Sequence, residues 1–234
     1  MELGTVAASM SDLLGLEQRP VALSFATSAP DGADPAPRKV PSACSFWRLA
    51  EEGVFYAPAE SHFNCPVGSM VMGFGLPEAV GEQLQGLVKS MCDQNYLSPD
   101  EVAKIPAVQR ESAGILYGPL AQFPVPPDLV LLWLTPAQAM IFSEAAGSAD
   151  WTGPMMAVTG RPGCTALALA DQKQDLRLSL GCIGMRTFTQ IGPDRILASL
   201  PGSKIADFLA ALERTTTANA AMESFYQGHA AEFA

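Results

Sequence analysis

Two stretches of this chain, 120 positions apart, read almost alike, and no other feature constrains its fold as tightly. Cys44-Ser45-Phe46-Trp47-Arg48-Leu49-Ala50 and Cys164-Thr165-Ala166-Leu167-Ala168-Leu169-Ala170 share one order: a cysteine, a hydroxyl residue, a mostly apolar stretch ending in leucine, then alanine. Each is followed by a second cysteine close to glycine, Cys65-Pro66-Val67-Gly68 after 21 positions and Gly181-Cys182-Ile183-Gly184 after 18. A repeat this long and this degenerate does not suit a solenoid. It implies an α+β chain of two similar halves, about 20–115 and 127–214, related by an internal pseudo-twofold duplication. The 234 residues are then read as one compact domain, with 215–234 as a C-terminal tail. Four cysteines would stand there as two equivalent pairs.

The intervening pattern is consistent with such halves. Val21–Phe25 reads as a buried strand, and the Pro/Gly/Asp-rich run from Ser28 to Pro37 as a loop. Helical spacing predicts a helix within 41–52, with Ser42 as N-cap and Cys44 in the first turn, where backbone N–H groups favour a thiolate. Val54–Tyr56 is a short strand. Residues 78–91 carry an amphipathic stripe of Val80, Leu84, Leu87, Val88 and Met91. Ser98-Pro99-Asp100-Glu101 and Thr135-Pro136-Ala137-Gln138 are helix starts. Ile115–Leu120 and the prolines after it suggest an extended crossing between the halves. Leu129–Leu134 is the clearest buried strand. Further strands are expected at 155–159 and 176–180, with a helix after Pro201-Gly202 capped by Ser203.

Charge and targeting signals narrow the functional classes. A net charge of −10, with Lys and Arg scattered, argues against nucleic acid and anionic membrane surfaces as partners. No apolar stretch approaches the ~20 residues of a membrane span, and the N-terminus lacks the pattern of a signal peptide. The expected location is cytoplasmic, where cysteines serve as thiols, metal ligands or catalytic groups rather than a disulfide framework. A small-molecule substrate or a redox partner is then the expected partner.

A site of Cys44, Cys65, Cys164 and Cys182 would suit zinc or an iron–sulfur cluster. Zinc sites usually use local C-x₂₋₄-C pairs, and this chain has none. Glycine near Cys65 and Cys182 lets backbone N–H groups approach sulfur, which favours a [4Fe–4S] cofactor, with zinc as the alternative. Four cluster ligands imply electron transfer or a structural role; three leave an iron open as a Lewis acid. The competing readings are cysteines that merely fill the core, and a metal-free thiol enzyme or binding protein using Cys44 or Cys164 as thiolate. Cys92 has no counterpart and is read as structural. His62, three residues before Cys65, is a weak ligand or substrate-binding candidate, or else a surface loop residue; Arg186 could meet an anionic substrate or be merely solvated. Met70, Met72 and Met185 suit core packing better than copper. With two histidines in all and no G-x-S-x-G, a triad hydrolase is not indicated.

The segments Pro127–Leu132, Thr135–Met140, Gly163-Cys164 and Ser179–Cys182, with Cys44–Ala50 and Cys65–Gly68, resemble the domain of unknown function family 169. The similarity runs from about Pro20 to Leu212. It implies prokaryotic, often anaerobe-associated relatives, and it supports the cysteine framework without supplying a reaction.

Overall fold

The computed structural model describes residues 2–147 and 158–233. Along them lie α1 (Leu3–Leu14), β1 (Val21–Ala26), α2 (Ser45–Leu49), β2 (Phe55–Pro58), α3 (Pro66–Val71), α4 (Glu78–Asp93), α5 (Pro99–Val102) and β3 (Gly114–Pro119). Then come β4 (Leu129–Leu134), α6 (Pro136–Ala145), β5 (Val158–Thr159), α7 (Thr165–Lys173), β6 (Arg177–Ser179), α8 (Ile183–Thr189), β7 (Ile196–Pro201) and α9 (Ile205–Ala231). The fold is mixed α+β. Its strands form one sheet in the order β2-β3-β1-β4-β7-β6-β5, antiparallel throughout except for the parallel β5–β6 edge.

Strand side chains alternate between two faces, and each face is covered by helices. Val21, Leu23, Ile115, Tyr117, Leu129, Leu131 and Leu197 join Phe46, Trp47, Leu167 and Met185 from α2, α7 and α8, with Cys44 and Cys164 in the same cluster. Ala22, Leu116, Val130, Leu132, Ala198 and Leu200 point the other way, against Met10, Phe142, Phe208 and Leu212 of α1, α6 and α9. Burial on both faces is why Leu129–Leu134 reads as an unbroken apolar run rather than an alternating one. All four cysteines singled out above belong to the α2–α3–α7–α8 layer.

Several expectations are met in detail. Ser98 and Thr135 each close a capping box, with Glu101 and Gln138 as reciprocal partners. Others are corrected. Gly114–Pro119 is no crossing but a fully buried strand, seated between β2 and β1. The helix expected within 41–52 contracts to Ser45–Leu49, because Cys44 itself is its N-cap. The last helix starts after a 3-10 turn, Gly202–Lys204, and continues through the tail to Ala231. The stripe on α4 lies against little: no residue of that helix is fully buried. Of the strand expected at 155–159, residues 155–157 lie outside the described residues and Val158–Thr159 is β5.

Candidate functional site

Cys44 and Cys164 hold the same station in their local structures. Cys44 is the N-cap of α2 at φ −69°, ψ −18°, and Cys164 is the N-cap of α7 at φ −69°, ψ −13°. The preceding turns match bond for bond. Ser45 N donates to Ser42 O (3.1 Å), Phe46 N to Ala43 O (3.2 Å) and Trp47 N to Cys44 O (3.1 Å). In the second stretch Thr165 N donates to Pro162 O (3.1 Å), Ala166 N to Gly163 O (3.5 Å) and Leu167 N to Cys164 O (3.0 Å). Both cysteines are buried.

Cys65 and Cys182 form a second matched set. Each is the N-cap of a short helix, α3 and α8, and each Sγ accepts the N–H three residues on, from Gly68 and from Met185, both at 3.4 Å. Ser and Asp caps use oxygen in the same way; here sulfur replaces it. Both cysteines are half-buried.

Close backbone approach joins the members of each pair. A Cβ on Gly68 would stand 2.9 Å from Ala43 Cβ and 3.0 Å from Cys65 Sγ. A Cβ on Gly163 would stand 2.9 Å from Gly181 Cα and 3.1 Å from Cys182 N. Ala43, before Cys44, thus lies against Gly68, and Gly163, before Cys164, lies against the Gly181–Cys182 peptide; at Gly68 and Gly163 a Cβ would force a shift. Between the pairs, α2 packs on α8, with Ser45 Oγ donating to Phe188 O at 3.5 Å.

Burial pushes the Cys44 thiol up to about 12; the Ser42 hydroxyl, 3.0 Å from its sulfur, opposes this, while Cys65 and Cys182 add to the rise. Burial also drives the Cys164 thiol well up, with repulsion from Cys65, Cys182 and Cys44 beneath it. Burial therefore works against the thiolate expected at these helix starts. Among the described residues, no group of three His, Cys, Asp or Glu side chains is gathered tightly enough to hold a metal ion.

The weaker candidates fall elsewhere. His62 is no surface residue: it is 1% exposed, between the rings of Phe46 and Phe74, each 4.8 Å away between centroids. Its Nδ1 lies 3.0 Å from Pro58 O and its Nε2 3.0 Å from the Tyr117 hydroxyl. Burial lowers its pKa to about 4, against the raising effect of the Pro58 and Ala59 carbonyls. Arg186 is half-buried rather than free; its guanidinium donates to the carbonyls of Leu180, Gly192, Pro193 and Arg195, tying down the segment before β7. Cys92 lies apart on α4. Met72 and Met185 are buried and pack in the core. Tyr117, wholly buried, was missed by sequence reading. Burial raises its pKa, and Cys44 and Cys164 add to that.

Residues 9–211 match the model of DUF169, described as Uncharacterised ArCR, and the chain belongs to that family. No curated protein and no solved structure matches it.

Proposed function

We propose that this DUF169 member is an iron–sulfur protein whose Cys44, Cys65, Cys164 and Cys182 hold a cluster of the [4Fe–4S] type between two similar halves. The observation that carries this reading is the matched pair of N-cap sites, two buried and two half-buried, in which negative charge on Cys65 or Cys182 opposes ionisation of both Cys44 and Cys164. Protein thiols crowded together in apolar surroundings carry a penalty on ionisation, and a bound cation reverses that penalty. The N–H groups of Gly68 and Met185 already aim at sulfur, as hydrogen bonds that tune cluster potentials do.

The sheet order supports the duplication. Reading outward from the central β1–β4 pair, β3 and β2 on one side correspond to β7 and β6 on the other, with the same antiparallel pairing. Both β3 and β7 end in proline and run into a 3-10 turn. Even the parallel edge has a partner: β5 beside β6 is matched by a parallel bridge from Pro35 to Tyr56 of β2. On this reading the site lies across a pseudo-twofold axis between β1 and β4.

Such a cluster would supply one-electron transfer to a redox partner or, with one iron open, Lewis-acid activation of a small molecule, in a reducing cytoplasmic setting. The chain's part is to hold the inner ligands, Cys44 and Cys164, away from water and to keep Cys65 and Cys182 at the accessible edge. Zinc is the second reading. Its sites usually draw on local C-x₂₋₄-C pairs, which this chain lacks. The metal-free thiol reading is weakened by the raised pKa of Cys44 and Cys164.

Purification without oxygen tests the proposal. Brown protein with roughly equal iron and sulfide, about four of each per chain, is expected. Colourless protein containing stoichiometric zinc, or no metal at all, would overturn it.

A further inference from the structure

The excursion between β1 and α2 closes one wall of a cleft of about 590 Å³. Its lining combines Ala36 and Pro58 with two cations, Arg38 and Lys39, one acid, Glu60, and the uncharged Ser61 and Asn64. That volume falls within the usual range for small-molecule sites.

The wall carrying the cations is fixed. Tyr56 N donates to Asp34 O (2.8 Å), Ala36 N to Tyr56 O (3.1 Å), and Asn64 Nδ2 to Val40 O (2.9 Å), so the segment is anchored before and after Arg38 and Lys39. Prolines at 35, 37 and 41 stiffen it further. Among the described residues Arg38 and Lys39 have no ion-pair partner, which they share with Arg19, Lys104, Lys173, Arg186, Lys204 and Arg214; they differ from these in standing side by side at a cleft. In a chain of net charge −10, two neighbouring unpaired cations at a cleft create a local reversal of sign.

We propose that this cleft binds a small monocarboxylate with a flat apolar body. The body lies against Ala36 and Pro58, and the carboxylate meets Arg38 and Lys39. Two cations against one acid leave the lining with a single net positive charge, which fits a monoanion better than a phosphate dianion. The site stands whatever the four cysteines hold, because none of its lining residues is a cysteine.

Calorimetric titration of the full chain with 2-naphthoate and with the isosteric, neutral 2-naphthamide tests the proposal. At low salt the carboxylate should bind about fivefold more tightly than the amide, as a charge-assisted contact requires. The preference should shrink in high salt. The double variant R38A/K39A, altered only at exposed positions, should bind both probes alike and keep the amide's affinity, while Glu60→Gln should tighten carboxylate binding. Equal binding of the two probes by the unaltered chain, binding of neither, a salt-independent preference, or a preference that survives the double variant would each overturn the proposal.

Discussion

The Tyr117 hydroxyl donates to His62 Nε2 across 3.0 Å inside the apolar layer that carries the cysteines. The direction follows from the other ring nitrogen. Nδ1 faces the Pro58 carbonyl, which can only accept, so Nδ1 bears the proton of the neutral ring and Nε2 is the acceptor. Tyr117→Phe would leave that acceptor buried and unpaired. A loss of about 1–3 kcal/mol in urea denaturation is expected; an unchanged midpoint would mean the bond contributes nothing.

The same histidine makes stability depend on pH. Its pKa is about 4 in the folded chain and ~6.5 when unfolded, so between those values the unfolded state binds the extra proton. Stability from keeping the ring neutral is fully present above pH ~6.5 and is lost as pH falls toward 4, on the order of 3 kcal/mol in all. Denaturation series at several pH values should show that drop, and His62→Gln should shrink it. An equal slope in both proteins would refute the assignment.

Metal-free protein offers a direct reading of burial at the cysteines. Iodoacetamide at neutral pH should modify Cys65, Cys92 and Cys182 well before Cys44 and Cys164, whose thiols are covered and held neutral. Peptide mapping over time gives the order. Fast labelling of Cys44 would restore the thiolate expected from its helix-start position.

Gly163→Ala tests the backbone contact behind the second pair. Its Cβ would press on Gly181 Cα and Cys182 N, both backbone atoms, so the α8 cap must move. About 1–3 kcal/mol of destabilisation is expected, together with lower iron content if the proposed cluster forms. A thermal melt and iron analysis alike to the parent would show that the cap yields freely.

The strands and caps were legible where local chemistry decides them. Thr135-Pro136 with Gln138 specifies a helix start by itself, and the six apolar residues from Leu129 to Leu134 leave a buried strand as the natural outcome. Gly114–Pro119 was misread because proline and glycine near its end suggested a crossing; its burial comes from strands β2 and β1, far away in sequence. His62 was misplaced for a related reason. Ala59–His62 forms a single 3-10 turn with weak periodicity, and only tertiary packing puts Phe46 and Phe74 on its ring. The cysteine pairs were visible as repeated words. Their N–H···S bonds were not, since these depend on φ and ψ at Cys65 and Cys182 rather than on residue identity.

The β1–β4 ladder has three residue pairs, Val21–Leu131, Ala22–Val130 and Leu23–Leu129, whereas β1–β3 and β4–β7 each have six. Cys44 and Cys65 belong to the chain on one side of this narrow seam, and Cys164 and Cys182 to the other. Anything gripping all four sulfurs would act as a clasp, closing a loop of some 120 residues that the strands themselves fasten only briefly. The seam is thus where an empty and a filled molecule would part company: its amides would exchange with solvent deuterium quickly when the clasp is open and slowly when it is shut.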